Sequence, residues 1–184
     1  VADHLEEAGA EVVRVSRSEK ERAGSYNLDI SDDRERKTFT TFIKDKYGEI
    51  DGLVNNAYSG TTGDLRNATR EEFENSLNMT LTSPFLLIQD LLPMFKEGSS
   101  IVNIASMYGM VSPDPRVYGD SGQNNPVYYG AGKAGLIQMS KYLGCHLADK
   151  NIRTNSVSPG AFPNFDINQL GGPFHRQLVH KIPA

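Results

Sequence analysis

The chain has no tryptophan, a single cysteine and four histidines among its 184 residues. A lone cysteine, Cys145, cannot form an internal disulfide, which fits a reducing, cytoplasmic setting. Its position inside a helical pattern reads as core. The histidines (His4, His146, His175 and His180) share no metal-ligand spacing, so no metal site is expected. No apolar run approaches the ~20 residues needed to span a bilayer. The first residues, Val1 to Glu7, lack the basic and apolar regions of a signal peptide. Basic residues are outnumbered 19 to 23, giving a net charge of −4. That balance argues against a nucleic-acid or anionic-membrane binder, either of which needs a basic surface. There is no internal repeat or low-complexity stretch, and the length suits one domain, 1–184.

What is present is an alternation of strand and helix patterns. Ala2, Leu5 and Ala8 give helical spacing that stops at Gly9, as though the chain begins inside an element. Strands are expected at Glu11–Ser16, Ser25–Ile30, Ile50–Ala57, Ser100–Ser106 and Arg153–Ser158. Ser31 or Asp32 caps a helix carrying Phe39, Phe42, Ile43 and Tyr47, which Gly48 ends. Thr69 and Glu72 form a capping box before a long helix with Phe73, Leu77, Leu81, Phe85, Ile88 and Leu92, which Pro84 should kink or divide. A final helix is expected over Tyr128–Leu147. Strands and helices in this order predict an α/β fold, with a parallel sheet covered by helices on both faces.

The most informative stretch runs from Ser99 to Ser140. Tyr129 and Lys133 are four apart and share one helical face. Ser106 closes a strand, at the end where an α/β sheet presents its chemistry. A phenol with an ordinary pKa near ~10 is too weak an acid to work at neutral pH, and a nearby ammonium favours its ionised form. Lys133 supplies that charge one turn from Tyr129, and Ser106 can hold a substrate oxygen and share developing charge. Tyr128 is excluded by spacing, because its i+4 neighbour is Gly132.

Taken together, Asp29, the run Asp51-Gly52-Leu53-Val54-Asn55-Asn56-Ala57, the run Ile101-Val102-Asn103-Ile104-Ala105-Ser106, Tyr129 with Lys133, and Asn151 through Gly160 resemble the short-chain dehydrogenase/reductase family. The resemblance covers Val1 to about Gly160 and implies a Rossmann-type doubly wound sheet. It places the family's Gly-rich phosphate turn upstream of Val1 and its last strand beyond Ala184, so a domain truncated at both ends is expected. Tyr58 stands where most members have Gly, and Ser106 and Tyr129 are 23 positions apart, about twice the usual gap. These two details resemble the flagellin-modification and nonulosonate-sugar branch, and the long gap is also similar to that of sugar-nucleotide epimerases and dehydratases.

The resemblance implies a hydride-transferring oxidoreductase with Ser106, Tyr129 and Lys133 at its catalytic centre. Lys133 would also bond the nicotinamide ribose. Asp29 and Ile30 would meet the adenine, Asn56 and Ala57 would line the cofactor cleft, and Pro159 and Gly160 would approach the nicotinamide. Ser16 followed by Arg17, in place of an acidic residue, favours NADP(H), with NAD(H) possible. Asn55 should tie central strands together. Asn164 falls where a Thr is usual. Thr80 falls where the family carries an Asn that helps hold a relay water. The polar insert Ser112–Val127 is either a wall over a sugar-like small-molecule substrate or an exposed loop. Leu136, Met139, Leu143 and Leu147 are either core or the apolar stripe of a homodimer or homotetramer. The competing readings are a sugar-nucleotide epimerase or dehydratase that retains NAD, and a non-catalytic scaffold on the same fold.

Overall fold

The computed structural model describes residues 1–17, 24–58, 63–120, 124–161 and 171–181. Helix α1 (Ala2–Glu7) precedes β1 (Arg14–Ser16), and the Arg14 guanidinium reaches back to Asp3 and Glu6. β2 (Ser25–Asn27) lies parallel to β1 with Val15 opposite Tyr26. Helix α2 (Asp33–Tyr47) starts where the Asp32 side chain accepts from the Glu35 amide, and it ends at Gly48 with φ +75°. β3 (Ile50–Asn55), β4 (Phe95–Ile104) and β5 (Arg153–Val157) form a second parallel sheet, with β4 in the centre. Among the described residues no strand pairs with both β1 and β3, so the expected single sheet is two sheets of two and three strands.

α2 and the long helix between β3 and β4 unite the two sheets. Leu28 and Ile30 after β2, Phe39 and Ile43 of α2, and Met79, Leu87 and Leu91 of that helix make one core cluster, with Ile50 and Leu53 of β3 packed against it. The long helix is divided as Pro84 requires. Thr69 and Glu72 close a capping box at α3 (Arg70–Leu77), a π turn follows at Asn78–Thr82, and α4 runs over Ser83–Leu91. Pro84 has no N–H to offer the Thr80 carbonyl four residues earlier, and the helix widens there instead.

β4 begins five residues before the strand pattern in the sequence. Ile50 faces Phe95, but Gly52 already faces Ser100, so the intervening residues of β4 bulge around Gly98 at φ +85°. Ser99 Oγ donates to the carbonyl oxygens of Ile50 and Lys96 across the irregularity. Regular pairing of β4 with both neighbours holds from Ser100 onward, where the apolar pattern becomes legible.

α6 (Val127–His146) packs against β4, β5 and α3, burying Tyr128, Leu136, Ser140 and Leu143. Ile88, Ile101, Leu143, Leu147 and Ile152 form the second core cluster, with Met139 against it. The Leu136–Leu147 stripe is therefore core within the chain. Cys145, expected in the core, is exposed. Buried Leu143 and Leu147 define the inner face, and Cys145 lies midway between them on the outer one, near exposed Tyr142. The long connection from Ser106 to Pro126 includes a 3-10 turn at Met107–Gly109 and the short helix α5 (Pro115–Tyr118). α7 (Pro173–Lys181) packs against α5.

Candidate active site at the carboxyl ends of β3, β4 and β5

β4 and β5 stay in register past their last paired residues. The Ala105 amide donates to the Val157 carbonyl at 2.7 Å, and the Met107 amide donates to the Pro159 carbonyl at 3.1 Å. These bonds bring Ser106 beside Pro159 and Gly160. Ser106 was expected to end the strand; it lies two residues beyond β4, in extended backbone. There its Oγ accepts from the Tyr108 amide at 3.2 Å and caps the 3-10 turn.

That turn is pressed directly onto α6. A Cβ built on Gly109 would lie 2.8 Å from the carbonyl carbon of Lys133 and 2.9 Å from the Ala134 amide nitrogen. One on Gly130 would lie 2.9 Å from the Tyr108 carbonyl oxygen. Both positions need glycine because backbone meets backbone there.

Within α6, Tyr128 is 1% exposed and meets Phe73 edge to face, with centroids 6.2 Å apart, so it is a packing residue. Tyr129 is half-buried. Lys133 is 2% exposed, and its Nζ donates to the Ile104 carbonyl at 2.6 Å. The ammonium lies 5.7 Å from the Tyr129 ring centroid and 5.9 Å from that of Tyr58. Burial pulls the lysine down to about 8. An ammonium has three donors, and the described residues give this one a single acceptor, leaving two for hydroxyls of a bound molecule.

Asn56 and Ala57, at the tip of β3, are exposed, as is Gly160 beyond β5. A Cβ on Gly160 meets nothing within 4 Å. Open backbone on both sides of Lys133 fits a nucleotide laid across the strand ends, the usual ligand position in open α/β sheets. At the ends of β1 and β2, the Arg17 guanidinium is 3.5 Å from the Asp29 carboxylate, and the Leu28 amide donates to the Ser16 carbonyl. Burial would raise the Asp29 carboxyl, but the Ser31 hydroxyl and amide, with Arg17 nearby, hold it below its usual range. Ile30, read as an adenine contact, is 8% exposed and packs in the first core cluster.

Thr80 is fully buried, and its Oγ1 has no hydrogen-bond partner among the described residues. A Cβ on Gly132 would meet its Cγ2 at 3.0 Å, so the π turn sits directly beneath the residue preceding Lys133. Asn78 faces elsewhere, accepting from the Ser83 hydroxyl at 3.4 Å. Asn164 lies outside the described residues, as does Gln123 of the insert.

The insert's polar residues largely anchor it. Asp114 caps α5, pairs with Arg116 at 3.0 Å and pairs with Lys181 of α7. Tyr118 stacks on Phe174 at 5.4 Å, and its hydroxyl lies 3.5 Å from that of Tyr108. Asn124 donates to the Gly63 carbonyl in the β3–α3 loop. The sequence reading also missed Asn103 as a framework residue. Its side chain accepts from Asn55 at 2.8 Å and donates to Ser140 at 2.9 Å, a buried link from β3 through β4 to α6. Its one signal was an amide side chain inside an apolar strand run.

Residues 1–178 match the family described as enoyl-(acyl carrier protein) reductase. The chain belongs to the short-chain dehydrogenase/reductase family. It is similar to the 3-oxoacyl-(acyl-carrier-protein) reductase FabG of Thermotoga maritima, 39% identical over 162 residues, covering 86% of this chain and 61% of that protein. A short-chain dehydrogenase from Leptospira borgpetersenii with bound NAD+ superposes with a TM-score of 0.86 at 25% identity, covering 98% of this chain and 71% of that one. The RhlG/NADP complex of Pseudomonas aeruginosa superposes at 0.67 with 26% identity, covering 76% and 53%. The chain thus spans about three fifths of the length of the curated relatives it matches. Among the described residues no helix is long and apolar enough to cross a membrane.

Proposed function

We propose that the protein carrying this chain is an NAD(P)-dependent oxidoreductase that interconverts an alcohol and a ketone, with Tyr129 transferring the proton. The observation that carries this reading is the Lys133 ammonium, buried on the Ile104 carbonyl beside the Tyr129 ring. A positive charge held there favours the phenolate, the form of Tyr129 that takes the proton from an alcohol. Ser106, on the turn packed against α6, would hold the substrate oxygen. A bound nicotinamide nucleotide supplies the hydride donor or acceptor. Asn56, Ala57, Lys133, Pro159 and Gly160 would hold its nicotinamide half, and Ser16, Arg17 and Asp29 its adenosine half.

The finer reading is a cytoplasmic homodimer or homotetramer that prefers NADP(H) and takes a polar, sugar-like substrate. Arg17, 58% exposed at its side chain, supports the nucleotide preference, since its guanidinium can exchange Asp29 for a 2′-phosphate. Asn125 Oδ1, buried without a partner among the described residues at the end of the insert, supports a hydroxyl-bearing substrate. Exposed Phe85 on α4 and Tyr142 on α6 support a subunit contact. The test is steady-state turnover of cyclic hydroxyl-bearing alcohols with NADP+ and NAD+, followed at the reduced-nicotinamide band for wild type and Tyr129→Phe. Net reduction by wild type and its loss by at least a hundredfold in the variant are expected. Equal rates in the two proteins overturn the mechanism, and product formation without net reduction transfers it to an epimerase or dehydratase.

A further inference from the structure

Tyr58 is 60% exposed, directly after Asn56 and Ala57 at the tip of β3. It belongs to neither hydrophobic cluster. Core packing therefore does not account for a large aromatic at this place. Its ring nevertheless has a defined position. It meets Tyr129 edge to face, with centroids 6.1 Å apart and planes at 79°, and the Lys133 Nζ is 5.9 Å from its centre. The buried ammonium is thus shared between two tyrosine rings on different elements.

We propose that Tyr58 is a positioning residue for the Tyr129–Lys133 pair, its ring giving the Lys133 ammonium a second aromatic face and bracing Tyr129 from the side. The inference rests on the acid–base reading of that pair given above.

The surroundings of Lys133 make the second ring matter. β4 offers it the Ile104 carbonyl, and α6 offers the Tyr129 ring. The 3-10 turn packed on its backbone carries Ser106 and Tyr108, and the π turn beneath Gly132 carries the uncharged Thr80. No carboxylate lies within ion-pair distance of Lys133 among the described residues. The titratable groups facing it are therefore tyrosines. In a buried place without a counter-ion, the negative face of an aromatic ring is one of the few groups that favour the charged form. Taking Tyr58 away lets Lys133 lose its proton at a lower pH. Fewer molecules then hold an ammonium beside an ionised Tyr129 at a given pH, and alcohol oxidation falls away at a lower pH on the alkaline side.

The test is the pH profile of kcat/KM for alcohol oxidation in the protein carrying this sequence, for wild type, Tyr58→Leu and Tyr58→Phe. Leucine keeps apolar bulk and removes the ring; phenylalanine keeps the ring and removes the hydroxyl. In Tyr58→Leu, kcat should fall roughly twofold to thirtyfold, the range a cation–π contact spans between exposed and desolvated sites. The alkaline limb, on which the ammonium is lost, should move down by about 0.4 to 1.5 pH units, while KM for the alcohol stays within about twofold. Tyr58→Phe should restore both. An unshifted alkaline limb in Tyr58→Leu, a rise confined to KM, or identical behaviour of the Leu and Phe variants overturns the proposal. Tyr129→Phe, run alongside, separates the two failures. If it keeps the wild-type rate, the acid–base reading has failed. If it is inactive while Tyr58→Leu is unshifted, only the role of Tyr58 has.

Discussion

Replacing Lys133 with methionine should make the protein more stable at neutral pH and abolish its turnover. The ammonium is 2% exposed, donates to one backbone carbonyl and has no carboxylate partner among the described residues. Burial lowers it from 10.5 to about 8. At ~1.4 kcal/mol per pH unit, holding the charged form inside the fold costs about 3 kcal/mol at pH 7. Methionine has nearly the same shape and removes that cost. It leaves the Ile104 carbonyl without its donor, a loss of about 1 kcal/mol. The net expectation is a gain of about 2 kcal/mol. The sign of the pH dependence follows from linkage. Between pH 8 and 10.5 the unfolded chain binds more protons at Lys133 than the folded one, so wild-type stability rises with pH across that window. The advantage of Lys133→Met should therefore be full below pH 8, shrink above it and reverse at about pH 10, leaving only the lost hydrogen bond by pH 10.5. Urea unfolding of both proteins without nucleotide, at steps from pH 7 to 10, measures the difference and cancels groups common to both. A variant less stable than wild type at pH 7, or a difference that does not change with pH, refutes the reasoning.

Two further outcomes follow from the packing. Gly109→Ala would place a methyl 2.8 Å from the Lys133 backbone, so the turn carrying Ser106 must move away from α6. Overpacking of that kind costs about 1–3 kcal/mol, and a displacement near ~1 Å costs up to ~100-fold in rate; a thermal midpoint and kcat both within error of wild type would count against the close approach. Asp90→Ala should cost about 1–3 kcal/mol, because Arg36 loses its buried partner while keeping Asp33 and the Ile30 carbonyl. Arg36 is buried, and its Nε donates to Asp90 at 2.8 Å while Lys37 bonds the other oxygen. Burial would raise the Asp90 carboxyl, but Lys37 and Arg36 outweigh it and hold it below 3.8. The stabilisation is therefore complete above that value and is lost as the pH falls through the lower folded one. Urea midpoints at pH 7 and pH 3 should differ by less in the variant than in wild type.

The parts of this fold that were legible in the sequence are those set by local chemistry. The Asp32 cap, the Thr69–Glu72 capping box and the division of the long helix at Pro84 each depend on residues within one or two turns. Tyr129 and Lys133 were legible for the same reason, since helical periodicity alone places them on one face. Features set by distant partners were not. The first half of β4 is irregular around Gly98 and carries no alternating pattern until Ser100. Gly109 and Gly130 looked like ordinary loop and helix residues until the 3-10 turn met α6. Nothing local to Asp114 points to its partner, Lys181, 67 residues away. Cys145 was misjudged because an apolar helix has an outer face as well as an inner one.

The anchoring of the insert bears on how substrate range can change in this protein. Phe174 stacks on Tyr118, Tyr118 meets Tyr108, and Tyr108 is two residues from Ser106 and gives it an amide hydrogen bond. On the other side Asn124 fastens the insert to Gly63. The described parts of the insert, α7 and the β3–α3 loop are thus linked by side-chain contacts spread over three distant parts of the chain. A larger or smaller side chain at Phe174 would be transmitted to the turn that holds Ser106 instead of simply widening a pocket. Grafting α7 from a relative, without the matching insert, would import half of a jointed part. New specificity is expected to need paired changes on both.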